Sequence, residues 1–217
     1  MDSKEYWDKK IIDWEDSTRT AEGVSFIERL GARFRGPLGA RSRIAFEALD
    51  PFVHGKTVLE LGCGSGYFAM ELFDRCKLAH LTGIDLSSRA IERAAVLAKE
   101  PGVEKHCTFL EGDAASTAGY ETDITIGLGL LDYLSPEELT KLFTEMKSPH
   151  FLFSFAERRP MLMRYIHILY MRSQRCPKHF YYTENTMRGY IGERFEGVQF
   201  VRAPDLSFGC VVHNIPR

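Results

Sequence analysis

Glu60, Gly62, Gly64 and Gly66 stand within one run, Val58-Leu59-Glu60-Leu61-Gly62-Cys63-Gly64-Ser65-Gly66, and Asp85 closes the next apolar run. These residue types in this order suit the holding of a nucleoside-containing cofactor. An apolar strand enters a glycine turn, and three glycines let the backbone bend sharply and approach a ligand with no β-carbon in the way. A helical pattern follows from Tyr67 to Asp74, and its first turn presents free N–H groups and a positive dipole end to an anionic ligand group. An acid about twenty residues further on, at the tip of the second strand, is placed to accept hydrogen bonds from a ribose diol. A pyrophosphate clamp wants G-x-G-x-x-G/A, with a small last residue for close helix–strand packing. The spacing here is G-x-G-x-G, and Tyr67 fills the place of that last residue, which argues against a dinucleotide.

Three further motifs follow in order. The run Glu60 to Gly66 resembles the first motif of class I S-adenosylmethionine-dependent methyltransferases. Gly83-Ile84-Asp85-Leu86-Ser87 resembles the end of their second strand, where the acid holds the ribose hydroxyls. Leu110-Glu111-Gly112-Asp113-Ala114 resembles the end of their third, where an Asp meets the adenine amino group. The stretch Thr122 to Leu131 resembles their fourth strand and the loop behind it. The resemblance covers residues 40 to 156 well. It implies an α/β fold, a Rossmann-like seven-stranded, mostly parallel sheet with helices on both faces and an antiparallel terminal strand. The implied cofactor is S-adenosyl-L-methionine. Cys63, Leu86 and Ala114 fall beside it, with Gly127 and Leu128 as the floor. Arg43 resembles an arginine that reaches the methionine carboxylate in ubiquinone-type O-methyltransferases; an arginine fork matches a carboxylate. A weaker likeness to the ubiquinone and magnesium-protoporphyrin enzymes runs from Tyr6-Trp7-Asp8-Lys9-Lys10 to Cys176-Pro177-Lys178-His179-Phe180-Tyr181-Tyr182.

Methyl transfer to a hydroxyl needs an acceptor atom held in line with the methyl, water excluded, and a group to take the proton. Such groups belong at the carboxyl ends of the strands. Asp132 and Tyr133, just behind the fourth strand, are the first candidates: Asp132 as base, Tyr133 as pocket wall. His167 and His179 are the others. The Asn/Asp-Pro-Pro-Tyr/Phe motif of amino-group methylation is absent; the stretch reads Leu128-Gly129-Leu130-Leu131-Asp132-Tyr133. That favours O-methylation of a small acceptor over N-methylation of nucleic acid.

Segment 157–190 holds Arg158, Arg159, Arg164, Arg172, Arg175, Lys178 and Arg188 against Glu157 and Glu184, with Tyr165, Tyr170, Phe180, Tyr181 and Tyr182 among them. This fits a cap over an anionic acceptor, free or lipid- or glycan-linked, and permits peripheral contact with an anionic membrane.

The elements that must position these groups read directly from pattern. Strands are expected at 57–61, 81–85, 107–111, 124–128 and 151–155, then a terminal pair at 198–202 and 210–214. Helices are expected at 3–17, 22–36, 41–49, 67–74, 89–99, 135–146, 160–173 and 183–191. Ser87 or Ser88, Ser135 and Thr183 are the cap residues. The 217 residues suit one domain, 1–217, with an N-terminal helical lid over 1–50 and the cap insertion over 157–190.

Apolar content of 44% and charged content of 27% are those of a soluble globular chain, and a net charge of −2 gives no global pull toward nucleic acid or anionic membranes. Five scattered cysteines show no zinc-ligand spacing, so no metal is expected; with no apolar leader or span, the expectation is a cytoplasmic protein. Three other functions remain open at this point: an RNA or protein methyltransferase, a nicotinamide oxidoreductase (disfavoured by Tyr67 and by the lack of a Tyr-x-x-x-Lys pair), and a non-catalytic cofactor-binding partner.

Overall fold

A computed structural model of the chain describes residues 3–19, 39–99 and 102–216, with 12–19 described as backbone. The helix expected at 22–36 lies outside the described residues. Seven strands form one sheet: β1 (Thr57–Leu61), β2 (His80–Asp85), β3 (Cys107–Glu111), β4 (Ile124–Gly127), β5 (His150–Ala156), β6 (Gln199–Val201) and β7 (Gly209–His213). Their spatial order is β3-β2-β1-β4-β5-β7-β6. All pairings are parallel from β3 through β5, and β7 runs antiparallel to both β5 and β6. The fold expected from sequence is therefore present, with strand bounds within one residue or so of those read from pattern.

Alternation along β5 shows how the sheet makes two cores. Phe151, Phe153 and Phe155 face one side, where Phe143 meets Phe151 and Phe153, and Phe195 meets Phe151, edge-on at ring centroid distances of 5.0 to 5.7 Å. That side is covered by α5 (Pro136–Glu145) and α7 (Glu184–Ile191). Leu152 faces the other side with Val58, Leu81, Ile124 and Ile126. It is covered by α2 (residues 39–49) and α3 (Tyr67–Arg75). Burial on both faces explains why the central strands read as continuous apolar runs.

The helix starts are chemically specified. Ser135 accepts from the Glu138 amide while the Glu138 carboxylate accepts from the Ser135 amide, a reciprocal capping box with Pro136 in the first turn. Ser87 opens α4 (Ser88–Leu97) and Thr183 opens α7 in the same side-chain-to-backbone manner. Two more helices complete the layers: α1 (Ser3–Arg19) and α6 (Leu162–Ser173).

From β1 the chain moves outward to β2 and β3, then returns to β4 on the other side of β1. This reversal opens a crevice beyond the carboxyl ends of β1 and β4.

Candidate active site

Three loops at that crevice are tied together by Asp85. Its carboxylate accepts from the Gly64 amide at 2.9 Å and the Ser87 amide at 2.9 Å, and its carbonyl accepts from the Gly112 amide at 2.9 Å. The turns after β1, β2 and β3 thus converge on one residue. Gly62 and Cys63 both donate to the Ile84 carbonyl, so the glycine turn is clamped to the end of β2. Gly62, Gly64 and Gly66 all have positive φ, between 52° and 78°, a region open to glycine at little cost. At Gly66 a β-carbon would also sit 3.0 Å from Ala94, so this glycine lets α3 pack on α4.

The crevice opens into a cavity of about 1070 Å³, at the upper end of the range for small-molecule sites. Glu60, Gly62, Cys63, Gly64, Asp85, Leu86, Asp113, Ala114 and Leu128 line one end of it. Gly66 and Gly127 do not: both shape the backbone, and Gly127 is packed tightly against Phe153. Asp113 folds its turn by accepting from the Ala115 amide at 2.9 Å.

Glu60 is buried, and its Oε2 has no hydrogen-bond partner. Burial, and then the nearby Asp85 carboxylate, push its acid up to about 8. A buried carboxylate without a partner is destabilising unless a ligand supplies one. An ammonium group would, and S-adenosylmethionine carries one. Asp85 and Asp113 line the same cavity, and the residues present fit that cofactor.

The other end of the cavity is lined by Arg41, Asp132, Tyr133, His167, Tyr170 and His179. Asp132 is buried behind β4 in a short turn of 3-10 helix, Leu131–Tyr133. Its Oδ1 accepts from the Ala156 amide at the end of β5, and its carbonyl accepts from the Phe180 amide at 2.7 Å. Asp132 therefore joins β4, β5 and the cap. Burial raises its acid to about 6, against the lowering effect of the Ala156 amide and Arg41. His167 receives or donates a 2.8 Å bond between Nδ1 and the Tyr181 hydroxyl. His179 lies edge-on to Tyr133 and Tyr181, and its buried Nε2 has no partner. Desolvation takes His167 down to about 4 and His179 to about 3, so both are neutral imidazoles near pH 7. Burial drives the Tyr133 phenol well above its usual range; it is a wall, not an acid.

Arg43 sits elsewhere than expected. It is exposed on α2, paired with Glu47 at 2.7 Å and Asp205 at 3.0 Å, and does not line the cavity. Arg41 does, two residues earlier in the same helix. The signal was available: Arg41, Ile44, Ala45 and Ala48 share one face at helical spacing, and Ile44 and Ala45 are buried.

The cap is also arranged differently. Of its basic residues only Lys178 lines the cavity, bonded to Glu138 at 2.8 Å. Arg159 pairs with Glu157 and Arg188 with Glu184, while Arg158, Arg172 and Arg175 are exposed. Among the described residues the cleft's lysines and arginines are Lys4, Lys10, Arg41 and Lys178.

Helix α1 lies across the opening. Lys4 bonds Glu111 and the Asp8 carbonyl accepts from Arg89 on one side; on the other, Lys10 bonds Gln174, Tyr6 meets Cys176 and Trp7 stacks edge-on against Tyr133 at 4.8 Å.

Residues 58–148 match the family described as "Methyltransferase domain". Over these residues the chain matches the class I S-adenosylmethionine-dependent methyltransferases. In fold the chain is similar to magnesium protoporphyrin IX methyltransferase from Synechocystis PCC 6803, solved with bound S-adenosylhomocysteine, with a TM-score of 0.73 at 19% identity, over 99% of this chain and 98% of that one. Among curated relatives, the ribosomal RNA large subunit methyltransferase G of Pseudoalteromonas translucida is 34% identical over 92 residues, 41% of this chain and 23% of its own. The ubiquinone biosynthesis O-methyltransferase of Aromatoleum aromaticum is 38% identical over 82 residues, 37% and 34% respectively. The chain thus spans well under half the length of these curated relatives. Among its described residues no helix is long and apolar enough to cross a membrane.

Proposed function

We propose that this protein transfers a methyl group from S-adenosylmethionine to a hydroxyl of a small or lipid-linked acceptor that carries an anionic group. The observation that carries the reading is a single cavity with two unlike ends: a cofactor end around Glu60, Asp85 and Asp113, and an acid–base end around Asp132 and His179. When bound, S-adenosylmethionine supplies an electrophilic methyl on a sulfonium sulfur. Glu60 pairs with its ammonium, Arg41 with its carboxylate, Asp85 with the ribose diol and Asp113 with the adenine amine.

At the other end the chain's own residues handle the acceptor. Asp132 takes the hydroxyl proton, since its acid near 6 is the one group there whose proton affinity lies close to neutrality. His179 and the His167–Tyr181 pair orient the hydroxyl as neutral hydrogen-bonding partners. Tyr6, Trp7 and Tyr133 exclude water. Lys10 and Lys178 at the rim meet the anionic group. The lack of an Asn/Asp-Pro-Pro-Tyr/Phe motif supports oxygen rather than nitrogen as the acceptor atom.

Calorimetric titration with S-adenosylhomocysteine, with NAD as control, tests the cofactor half. Micromolar binding of the first alone, lost in Asp85→Ala, is the expected result. Binding of NAD instead would overturn it. A screen of anionic hydroxyl compounds by methyl transfer then tests the acceptor half.

A further inference from the structure

Helix α6 has two apolar faces, and one of them is largely exposed. Met163, His167, Tyr170 and Met171 face inward and line the cavity. Leu162, Tyr165 and Leu169, at i, i+3 and i+7, point outward and are 75%, 52% and 65% exposed. The other large apolar side chains exposed among the described residues, Val96 and Leu110, lie on α4 and β3. An outward stripe of this kind is the position where a soluble helix carries polar residues.

Along the chain on either side of this stripe the charge has one sign. From Arg158 through Thr183 the sequence contains no Asp or Glu, and it holds Arg158, Arg159, Arg164, Arg172, Arg175 and Lys178. Arg158, Arg172 and Arg175 are exposed at the two ends of α6. Arg164 lays its guanidinium over the Tyr165 ring, 4.6 Å from the centroid, and 5.6 Å from that of Tyr181. Apolar side chains flanked by arginines, with an amphipathic tyrosine between, match an anionic bilayer surface: the aliphatic groups enter the acyl boundary and the guanidinium groups meet the phosphates. A protein partner of matching chemistry would need an acidic rim around an apolar groove.

We infer that the outer face of α6, Leu162–Tyr165–Leu169 with Arg158, Arg172 and Arg175, docks this protein on an anionic lipid surface. Because the inner face of the same helix is the cavity wall, docking sets the cleft against the bilayer. The acceptor is then a membrane-resident amphiphile that enters from the lipid side between Met163, Tyr170 and Met171. The part about the acceptor rests on the methyl-transfer reading; the docking does not.

Vesicle flotation tests it, using phosphatidylcholine vesicles with and without phosphatidylglycerol. The full chain is expected to float with the anionic vesicles and stay in solution with the neutral ones. Leu162→Ser with Leu169→Ser, and separately Arg172→Glu with Arg175→Glu, each lower partitioning by about tenfold or more. All of these residues are exposed, so thermal melting and S-adenosylhomocysteine affinity stay at the parent values. No flotation overturns the proposal, and so does flotation that the leucine pair does not change. A concentration-dependent dimer in analytical ultracentrifugation that the leucine pair abolishes also overturns it, assigning the face to a second copy of the chain. Failure of S-adenosylhomocysteine to bind while flotation persists would instead strike the methyl-transfer reading.

Discussion

The guanidinium of Arg41 lies directly against Gly129: a β-carbon on residue 129 would come within 2.6 Å of Nη1. Gly129 itself sits at a φ of 72° and donates its amide to the Ser154 hydroxyl at 2.7 Å. The loop after β4 thus leaves out a side chain where α2 inserts a charge.

Gly129→Ala is expected to displace Arg41 and to strain the backbone, since a left-handed residue with a β-carbon costs about 1–2 kcal/mol. Arg41→Met keeps the shape and removes the charge. It should weaken S-adenosylhomocysteine binding by about tenfold to a hundredfold, the worth of a charge-assisted hydrogen bond or two. Arg43→Met should leave that affinity unchanged. Titration calorimetry on the three variants checks this, and equal losses in Arg41→Met and Arg43→Met would refute the assignment.

Glu60 links stability to pH in the absence of ligand. Its acid stands near 8 when folded against an ordinary value of 4.5, so the unfolded chain gives up this proton first. Between those values stability falls as pH rises, with a slope approaching about 1.4 kcal/mol per pH unit from this group. Below 4.5 the contribution is fully present, and above 8 its loss is complete. Glu60→Gln should therefore be the more stable protein in urea at pH 8, with a smaller advantage at pH 6. It should also bind S-adenosylhomocysteine more weakly. A variant less stable than the parent at pH 8 would contradict the unpaired-carboxylate reading.

Asp132 predicts the acid limb of the rate profile. With its acid near 6, activity against an alcohol acceptor should rise with pH through that value and level off above it. Asp132→Asn keeps an acceptor for the Ala156 amide while abolishing the base. It should lower kcat by about a hundredfold to ten-thousandfold and remove the limb. If the limb survives in the variant, another group takes the proton.

Trp7 should act on the acceptor more than on the cofactor. It touches Tyr133 at the acid–base end. Trp7→Ala is expected to raise the acceptor's KM several-fold and leave S-adenosylhomocysteine affinity within about twofold, because an edge-on aromatic contact is worth only about 0.5–1.5 kcal/mol. Steady-state kinetics against calorimetry separates the two; a large loss of cofactor affinity would move Trp7 to the other end of the cavity.

What the sequence reveals and what it hides follow from range. Strands buried on both faces, glycine turns and helix caps are local signals, so β1 to β7 and the caps at Ser87, Ser135 and Thr183 are legible residue by residue. Asp85 is legible because its place at a strand tip is set by spacing alone. The choice between Arg41 and Arg43 turns on helix phase: the two lie about 200° apart on α2, and only the burial of Ile44 and Ala45 decides it. The cap misleads for a related reason. Its arginines are visible as composition, but their direction depends on tertiary contacts such as those of Arg159 with the Ser207 and Gly209 carbonyls. The meeting of Asp132 with the Phe180 amide joins residues far apart in the chain, and no local pattern announces it.

The cap leaves and rejoins the sheet through a single narrow neck. The Arg158 amide donates to the Tyr182 carbonyl, the Tyr182 amide to the Ala156 carbonyl, and Glu157 and Tyr182 form a parallel bridge. Arg202 fastens that neck from outside by gripping both Glu157 and Glu184. A chain held shut at its base can change length inside with little penalty, because closure entropy grows only slowly with loop size. Changes of length inside that neck would therefore reshape the Asp132 end of the cavity while leaving in place the end built on Asp85.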